Sequence, residues 1–308
     1  MRVVVTGGAG FIGSHVADAL LARGDDVLVV DDLSTGQRSN VADGAAFEQL
    51  DVADADALER AFEGRVDLVC HLAAQASVTV SVADPLLDCT SNVIGTLNVC
   101  EAARRRGAPV VFASTGGALY GDGATRPTPE SFAPEPLSPY GASKLSGEAY
   151  VATWSRLYGT PNVVLRLGNV YGPRQNPHGE AGVVAIFSGL LLDGELPALR
   201  GEGKPTRDYV YVTDVANAFL AAADGARAGT YNVGTRRETS TARLLQILQE
   251  AAGTAVEPRQ VDLQPGELQA SALDPSLIER ELGWRPTVGI EAGLRQTLDW
   301  YRAAHRHR

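Results

Sequence analysis

Cysteine and long apolar runs are scarce in this sequence. Its 308 residues include three cysteines, Cys70, Cys89 and Cys100, an odd number without the spacing of metal ligands. We therefore expect neither a disulfide framework nor a metal site, and we interpret the thiols as reduced core residues of a cytoplasmic protein. The N-terminus lacks a signal-peptide layout, and no apolar run has the length needed to span a bilayer. We accordingly expect no membrane partner.

Positive charge is also in short supply. Lysine and arginine contribute 27 residues against 37 aspartates and glutamates, which gives a formal net charge of −10. This balance argues against nucleic acid or an anionic membrane surface as the main partner. It still allows an anionic small molecule, because a local site can be basic on an acidic protein. The hydrophobic content of 44% is ordinary for a globular protein of one large or two modest domains.

A glycine-rich turn between a predicted strand and a predicted helix is the clearest local motif. Residues 3–5 form a β-branched run typical of a buried strand, and residues 14–23 carry apolar side chains at helical spacing. Gly8-x-Gly10-x-x-Gly13 lies between them, which is the context that this motif needs. The glycines let the backbone approach a pyrophosphate, and the helix N-terminus supplies N–H groups. The motif predicts a dinucleotide site, with a purely structural glycine turn as the alternative.

Carboxylates follow the next two predicted strands. Asp31 and Asp32 end the run at residues 27–30, and Asp31 comes eighteen residues after Gly13. This is close to the expected position of a carboxylate that binds the adenosine ribose hydroxyls. Such a carboxylate would repel a 2′-phosphate, so the sequence favours NAD over NADP. Asp51 follows a later strand-like segment, where it could contact the adenine or simply cap a turn.

Strands and helices alternate through the first 170 residues. Predicted strands at residues 66–70, 109–113 and 163–167 alternate with predicted helices at residues 57–62, 85–106 and 139–158. This alternation predicts an α/β protein with a doubly wound, Rossmann-like parallel sheet. The regular pattern ends near residue 172. We therefore expect an NAD-binding domain at residues 1–172 and a smaller mixed substrate lobe at residues 173–308, with some of its segments returning to the sheet.

Tyr140 and Lys144 are the candidate catalytic pair. They lie four residues apart in a predicted helix and so share one face, although this spacing is also common on solvated helices. An ammonium group and a positively charged nicotinamide beside Tyr140 would favour the phenolate, which is a competent base. Ser114 and Thr115 follow a predicted strand, where ligands bind in such sheets, or else form a turn. His71 is interpreted as a packed strand-end residue.

Together these motifs resemble the extended short-chain dehydrogenase/reductases of the nucleotide-sugar epimerase/dehydratase family, with the compact UDP-glucose 4-epimerase-like members closest in pattern. The resemblance runs essentially end to end. It is carried by seven segments: Thr6-Gly-Gly-Ala-Gly-Phe-Ile-Gly13, Asp31-Asp-Leu-Ser-Thr-Gly36, His71-Leu-Ala-Ala-Gln75, Ser114-Thr-Gly-Gly117, Tyr140-x-x-x-Lys144, Asn169-Val-Tyr-Gly-Pro-Arg174 and Arg207-Asp-Tyr209.

The resemblance implies specific roles. Tyr140 would take the proton of the sugar 4-hydroxyl during hydride transfer to NAD, Lys144 would hold the nicotinamide ribose, and Thr115, with Ser114 as its competitor, would relay the proton. A homodimer through the two long helices is also implied. The cofactor-binding positions would be Gly7, Gly10, Phe11, Ile12, Gly13, Asp31, Asp32, Ser34, Thr35, Gly36, Asp51, Val52, Leu72, Ala73, Ala74, Gln75, Asn92, Tyr140 and Lys144. The substrate-binding positions would be Ser81, Ser114, Thr115, Tyr140, Asn169, Val183 and Arg207.

The choice of reaction depends on Gly116 and Gly117, which stand where related 4,6-dehydratases carry an Asp-Glu pair. Glycine has no side chain with which to move a proton, so 4-epimerisation of UDP-glucose and UDP-galactose through a 4-keto intermediate is favoured. A UDP-glucuronate 4-epimerase, a nucleotide-sugar dehydratase and a non-catalytic NAD-binding regulator are the alternatives. Relatives often carry Arg at Gln264 and Ala270, which leaves the substrate open. Arg174 would meet a uronate carboxylate or form a structural ion pair.

Overall fold

A computed structural model describes residues 1–177, 182–225, 227–263 and 268–305. Within them no helix is long and apolar enough to cross a membrane. The strands are β1 (Arg2–Thr6), β2 (Asp26–Asp31), β3 (Ala46–Gln49), β4 (Leu68–His71), β5 (Val110–Thr115), β6 (Val163–Leu167), β7 (Asn169–Tyr171), β8 (Ala198–Arg200), β9 (Thr206–Arg207), β10 (Tyr209–Tyr211), β11 (Gly229–Val233), β12 (Thr239–Ser240) and β13 (Arg259–Val261). The helices are α1 (Phe11–Arg23), α2 (Ala55–Ala61), α3 (Val78–Ala83), α4 (Pro85–Cys89), α5 (Gly95–Arg105), α6 (Pro139–Tyr158), α7 (Val183–Asp193), α8 (Val212–Asp224), α9 (Thr241–Ala252), α10 (Ser276–Leu282) and α11 (Ile290–His305).

Seven parallel strands form the central sheet, in the order β11-β6-β5-β4-β1-β2-β3. Helices cover both faces, α1 and α8 on one and α2, α5 and α6 on the other, which is why the central strands are mostly apolar on both faces. The register aligns Thr6 with Val30 on one side and with His71 on the other. The loops after β1, β2 and β4 therefore leave the same edge of the sheet. The predicted fold class is confirmed.

Several predicted elements match the structure closely. The predicted strand at residues 163–167 is β6, and the predicted helix at residues 139–158 is α6. The predicted long helix at residues 85–106 is built from α4, a π-helical segment at Thr90–Ile94, and α5. Residues 206–212 have the composition of one strand but form two short strands. They are β9 and β10, and they pair with different strands, β12 and β7.

Buried Asp208 separates β9 from β10. Its carboxylate accepts hydrogen bonds from the N–H groups of Thr235 and Leu273 at 2.8 and 3.0 Å. It also accepts one from the backbone N–H of Arg236 at 3.2 Å. These hydrogen bonds compensate the Asp208 carboxylate for the hydration that it loses on burial. Asp208 thus ties the chain between β9 and β10 to two distant loops.

The residues beyond β7 contribute to two places. β11 pairs with β6 in parallel and forms one edge of the central sheet, and α8 packs on α1. α7, α9 and α11 surround a separate apolar core that includes Tyr171 and Leu244. Three two-stranded sheets, β7 with β10, β9 with β12 and β8 with β13, connect these parts.

Candidate active site

The turn between β1 and α1 is shaped by its glycines. Gly7 has φ +71°, and a Cβ atom there would lie 2.6 Å from the backbone N of Ala73. A Cβ atom on Gly13 would lie 2.1 Å from the carbonyl oxygen of Gly7. α1 begins at Phe11, directly after Gly10, which has no side chain to cap the first turn. The tight turn leads directly into α1, whose first N–H groups have no partner within the helix, and a helix N-terminus of this kind suits a pyrophosphate.

Asp31 lies buried at the end of β2, beside this cradle. Its Oδ2 accepts a hydrogen bond from Ala9 N at 2.9 Å, and its Oδ1 accepts one from Leu33 N at 2.9 Å. Burial raises the pKa of the Asp31 carboxyl, and the hydrogen bonds oppose that change. A Cβ atom on Gly36 would lie 2.7 Å from Oδ1, so the following loop folds tightly over the carboxylate. This arrangement fits the adenosine end of NAD.

The neighbouring acidic residues are engaged in local turns. Asp32 accepts hydrogen bonds from the N–H and the hydroxyl of Ser34, at 2.9 and 2.7 Å, and Thr35 is exposed beside them. Asp51 is exposed, and its Oδ1 accepts a hydrogen bond from Ala53 N at 2.8 Å. Asp51 therefore forms the turn, and its contact with the adenine stays a prediction. Val52 is buried against the position of Gly95 on α5.

The loop after β4 faces the glycine turn. Leu72, Ala73 and Ala74 occupy this loop, and Leu72 N donates to the carbonyl oxygen of Thr6 at 3.0 Å. Gln75 N donates to Asn92 Oδ1 at 2.8 Å, and Asn92 Nδ2 donates back to the carbonyl oxygen of Gln75 at 2.9 Å. Two predicted cofactor-binding residues, distant in sequence, are therefore joined in space.

Tyr140 lies in the first turn of α6. The helix starts where it does because Ser138 accepts a hydrogen bond from Gly141 N at 3.2 Å and Pro139 occupies the first turn. The Tyr140 side chain lies beside that of Thr115, at the end of β5, and Thr115 acts to lower the pKa of the Tyr140 hydroxyl. Part of the Tyr140 side chain is exposed, but burial of its hydroxyl raises the pKa to about 12. Tyr140 and Thr115 thus meet at the edge of the sheet where the glycine turn also lies.

Lys144 is buried one turn further along α6. Its Nζ donates to the carbonyl oxygen of Ala113 at 2.9 Å and lies 4.9 Å from the centre of the Phe112 ring. Burial lowers the pKa of Lys144 to about 8, while the charges of Asp88 and Glu148 act in the opposite direction. Burial is the largest effect on the pKa of Tyr140 in the protein itself. The expected effect of Lys144 together with a positively charged nicotinamide stays a prediction.

Ser114 differs from Thr115 because successive strand residues point to opposite faces. Its hydroxyl donates to Glu148 Oε1 at 2.5 Å. Glu148 also pairs with Arg166 at 2.6 Å, and Arg166 donates to the Tyr120 hydroxyl at 2.8 Å. The prediction that Ser114 contacts substrate or competes with Thr115 is corrected: Ser114 belongs to a buried charged network behind the site.

His71 is a packing residue, as interpreted from the sequence. Its Nδ1 lies 2.7 Å from Thr6 Oγ1 and its Nε2 lies 3.0 Å from Thr96 Oγ1, so both ring nitrogens have partners. Burial lowers the pKa of His71 to about 3, and the nearby charge of Lys144 acts in the same direction. The imidazole is therefore neutral at physiological pH.

The remaining predicted substrate-binding residues lie on separate elements of the fold. Within the described residues, buried Asn169 Oδ1 has no hydrogen-bond partner, and it lies 3.3 Å from the position of a Cβ atom on Gly117. Arg207 lies in β9 and Val183 begins α7. Ser81 is fully buried, and its hydroxyl donates to the carbonyl oxygen of Val78 within α3. Its prediction as a substrate ligand is therefore corrected.

The sequence left open the role of Arg174 and the effect of Ala270 and Gln264, where relatives often carry arginine. Arg174 forms an ion pair with Asp18 on α1 at 2.7 Å, which is the structural interpretation rather than carboxylate binding. Ala270 forms an isolated β-bridge with Thr206, next to Arg207. Gln264 lies outside the described residues.

Two residues of the site were missed by sequence reasoning. Leu273 packs on Gly116, where a Cβ atom would meet its Cδ1 at 2.5 Å. Asp88 on α4 is buried and accepts hydrogen bonds from Gln75 and Asn92. The position of Asp88, one helical turn before Asn92, was an available signal, because residues four apart share a helix face. No local signal indicated Leu273.

A parallel sheet with a glycine-rich β1–α1 turn, and a Tyr-x-x-x-Lys pair beside the end of β5, defines the extended short-chain dehydrogenase/reductase class. A solved UDP-glucose 4-epimerase of Thermotoga maritima, with UDP-glucose, is 44% identical with a TM-score of 0.96, and the match covers 99% of this chain and 100% of that one. The UDP-glucose 4-epimerase of Thermus thermophilus, solved in complex with NAD, is 49% identical with a TM-score of 0.92, at 99% and 100% coverage.

The sequence comparisons agree. A UDP-glucose 4-epimerase of Mycolicibacterium smegmatis is 44% identical over 309 residues, which cover 98% of this chain and 99% of the relative. The NAD dependent epimerase/dehydratase family model matches residues 3–234. The chain belongs to the NAD-dependent epimerase/dehydratase family, and its cofactor is NAD. The resemblance inferred from the motifs is confirmed.

Proposed function

We propose that this protein is a UDP-sugar 4-epimerase that interconverts UDP-glucose and UDP-galactose. The observation that carries the proposal is the placement of Tyr140 beside Thr115 at the carboxyl edge of the sheet, with Lys144 one turn away and no acidic side chain at Gly116 or Gly117. These groups support reversible oxidation at one carbon without a further proton-transfer step. The similarity to full-length UDP-glucose 4-epimerases supports the same reaction and substrate.

The residues divide the work at the 4-hydroxyl of the sugar. NAD, when bound, supplies a reversible hydride acceptor, and its oxidised nicotinamide adds a positive charge that opposes the effect of burial on Tyr140. Tyr140 removes the hydroxyl proton as general base and returns it as general acid. Thr115 holds the same oxygen through its hydroxyl, which lies beside Tyr140. Lys144, a buried cation below pH about 8, orients the neighbouring ribose and favours the ionised phenol.

Dehydration is disfavoured by packing as well as by sequence. Elimination of water across the neighbouring carbons needs a second acid–base group near the sugar. Gly116 provides none, and the space above it is filled by the buried side chain of Leu273. Because Leu273 fills this space, the packing also disfavours an acidic side chain at position 116.

The nucleotide half of the substrate is assigned to residues beyond the Rossmann part. We propose that residues 1–172 hold NAD and residues 173–308 supply most substrate contacts, with Arg207 binding the diphosphate. A guanidinium is planar and always charged, which suits phosphate oxygens. Asn169 Oδ1 supports a polar ligand beside Gly117, because an unpartnered buried acceptor costs free energy until it is satisfied.

A homodimer is proposed through α4 and α6. These helices and α3 pack on one another and expose apolar side chains, and Leu86 and Leu157 are 78% and 65% exposed. The other exposed apolar residues of these helices are Val78, Val80, Val82, Leu87, Tyr150 and Tyr158. Clustered apolar exposure of this kind marks an interaction surface. In a symmetric dimer the same surface of both copies meets, so we propose a second copy of the chain as the partner.

The reaction is tested by incubating the purified protein separately with UDP-glucose, UDP-galactose, UDP-N-acetylglucosamine and UDP-glucuronate. Anomeric proton signals in NMR spectra report the configuration at carbon 4. We expect interconversion of UDP-glucose and UDP-galactose. A 4-keto-6-deoxy product would contradict the proposal, and turnover of UDP-glucuronate alone would assign a different sugar. Bound NAD without any turnover would favour a regulator.

A further inference from the structure

Asp88 is a buried carboxylate on an otherwise exposed helix. α4 extends from Pro85 to Cys89, and Asp88 is 1% exposed while the other four residues of the helix are exposed. The helix packs against α6, the helix of Tyr140 and Lys144. A desolvated carboxylate is destabilising unless partners compensate for its lost hydration. The surroundings of Asp88 supply those partners from the active site itself.

The Asp88 carboxylate joins three segments of the site. Its Oδ1 accepts hydrogen bonds from Gln75 Nε2 at 3.1 Å and from Asn92 Nδ2 at 2.9 Å. Asn92 Nδ2 also donates to Ser143 Oγ at 3.1 Å, and Ser143 Oγ donates to the carbonyl oxygen of Tyr140 at 3.0 Å. This chain of contacts enters α6 between the two catalytic candidates.

The π-helical segment at Thr90–Ile94 directly follows α4. A π-turn inserts an extra residue per turn and is frequent at functional sites. Here it carries Asn92 while keeping Asn92 within hydrogen-bond distance of Asp88. The local geometry therefore directs the Asn92 amide toward the carboxylate and toward α6.

We propose that Asp88 is a positioning residue of the hydride-transfer site, whose carboxylate fixes Gln75 and Asn92 and places a negative charge beside Lys144 and Tyr140. The inference deepens the proposed epimerase function and rests on it for the meaning of the catalytic pair. The geometry assigns Asp88 no contact with substrate. Asp88 acts through the positions of Gln75 and Asn92 and through the electrostatic effect of its charge on Lys144 and Tyr140.

The charges around Lys144 determine the direction of this effect. Asp88 and Glu148 both raise the pKa of Lys144, against burial, which lowers it to about 8. Glu148 is neutralised by its ion pair with Arg166 at 2.6 Å, and His71, whose pKa is lowered to about 3, is uncharged. Asp88 is thus the carboxylate near Lys144 that is not paired with an arginine in the described salt bridges.

The same charge acts on Tyr140. Burial is the largest effect on the Tyr140 pKa, Asp88 raises it further, and Thr115 lowers it. Removing the charge of Asp88 should therefore lower the pKa of both Lys144 and Tyr140. Activity requires an ionised Tyr140, which sets the lower limit of the pH range, and a protonated Lys144, which sets the upper limit. Both limits should therefore move to lower pH.

The chain is unusually suited to a direct test, because Lys144 and Lys204 are its two lysines. In protein labelled with ¹³C-lysine and purified with its bound NAD, the Cε signals of both can be followed as a function of pH by NMR. Lys204 is 77% exposed and serves as an internal reference. The test compares wild type with Asp88→Asn, which is nearly isosteric. Asp84→Asn is the matched control, since Asp84 is exposed on the same helix and caps its first turn.

We expect Asp88→Asn to lower the Lys144 titration midpoint by about one pH unit or more, with Lys204 unchanged and with no shift in Asp84→Asn. The pH–rate profile of the variant should shift in the same direction. A Lys144 midpoint equal to that of wild type would overturn the proposal, even if the variant were less stable. If Asp88→Asn folds poorly, Asp88→Ser gives the same readout. Because the titration needs no turnover, failure of the epimerase assignment would appear separately as an inactive wild type.

Discussion

Leu273 Cδ1 lies 2.5 Å from the position that a Cβ atom on Gly116 would occupy. Leu273 is buried, and its backbone N–H donates to Asp208 Oδ2 at 3.0 Å. Its main chain is therefore anchored while its side chain covers the residue after Thr115. A side chain at position 116 can enter only if this leucine is displaced.

The substitution Gly116→Asp should accordingly destabilise the protein without creating a dehydratase. Overpacking of a filled core costs about 1–3 kcal/mol, and a buried carboxylate without partners adds to this. Urea unfolding measures the stability and NMR detects a 4-keto-6-deoxy product. Gly123→Ala is the control, since a Cβ atom there meets nothing within 4 Å. A stable Gly116→Asp variant that eliminates water would show that the packing is irrelevant to the choice of reaction.

Tyr140→Phe should retain bound NAD and lose turnover by a factor of about 10²–10⁴, the usual contribution of a positioned acid–base group. The change removes only the hydroxyl that lies beside Thr115. Turnover of UDP-glucose and the absorbance of released NAD are the two measurements. Tyr150→Phe, on the exposed side of the same helix, should have wild-type activity. Activity surviving in the Tyr140 variant would remove Tyr140 from the mechanism.

The turnover of wild type should decline as the pH rises through about 8. Burial lowers the pKa of Lys144 from 10.5 to about 8, so the side chain is cationic below that pH and neutral above it. Loss of the cation removes the charge that favours an ionised Tyr140. The pH dependence of kcat checks this prediction. An alkaline limb nearer to pH 10.5 would indicate that Lys144 keeps an ordinary pKa or takes no part.

The buried ion pair of Arg166 and Glu148 should be important for stability. Arg166→Met leaves Glu148 desolvated without its cation, and breaking a buried pair in this way costs about 3–5 kcal/mol. The double variant with Glu148→Gln should regain part of the loss, because no charge is left unpaired. Urea unfolding tests both. Arg65→Met, which breaks an exposed pair with Asp67, should have little effect. Equal losses in the single and double Arg166 variants would contradict this explanation.

The proposed dimer is tested by charge on its apolar surface. Leu86→Glu combined with Leu157→Glu places two carboxylates in the proposed contact and should yield monomers. Light scattering coupled to size-exclusion chromatography measures the mass. Leu196→Glu, at a residue 58% exposed and outside α4 and α6, should behave as wild type. A monomeric wild type would exclude the dimer, whatever the variants do.

The central sheet was predictable because its determinants are local. Runs such as residues 3–5 are apolar and β-branched, and helices covering both faces make the whole run buried. α11 was missed although Leu294, Leu298 and Tyr301 mark one buried stripe. About half of this amphipathic helix is polar, so its pattern shows only when residues are counted at helical spacing. The break at Asp208 depends on partners in distant loops, and no local pattern indicates them.

The site was predicted where backbone geometry defines it and missed where packing does. The glycine turn and the Tyr140–Lys144 pair are fixed by short spacings. Ser114 and Thr115 point to opposite faces of β5. Which of them faces α6 is determined by how the sheet packs against that helix. Leu273 reaches Gly116 from more than a hundred residues away, and burial of Asp88 requires α4 to pack on α6. Such contacts follow from the tertiary fold.

The position of β11 has a consequence for synthesis of the chain on the ribosome. β6 pairs with β5 and with β11, and β11 consists of residues near position 230. Until that segment has emerged, a nascent chain holds β6 as an open edge whose N–H and C=O groups can pair with another molecule. The first 172 residues are therefore expected to need protection from aggregation during translation, and a fragment ending there should express poorly even though it contains the whole glycine turn and the Tyr140–Lys144 pair.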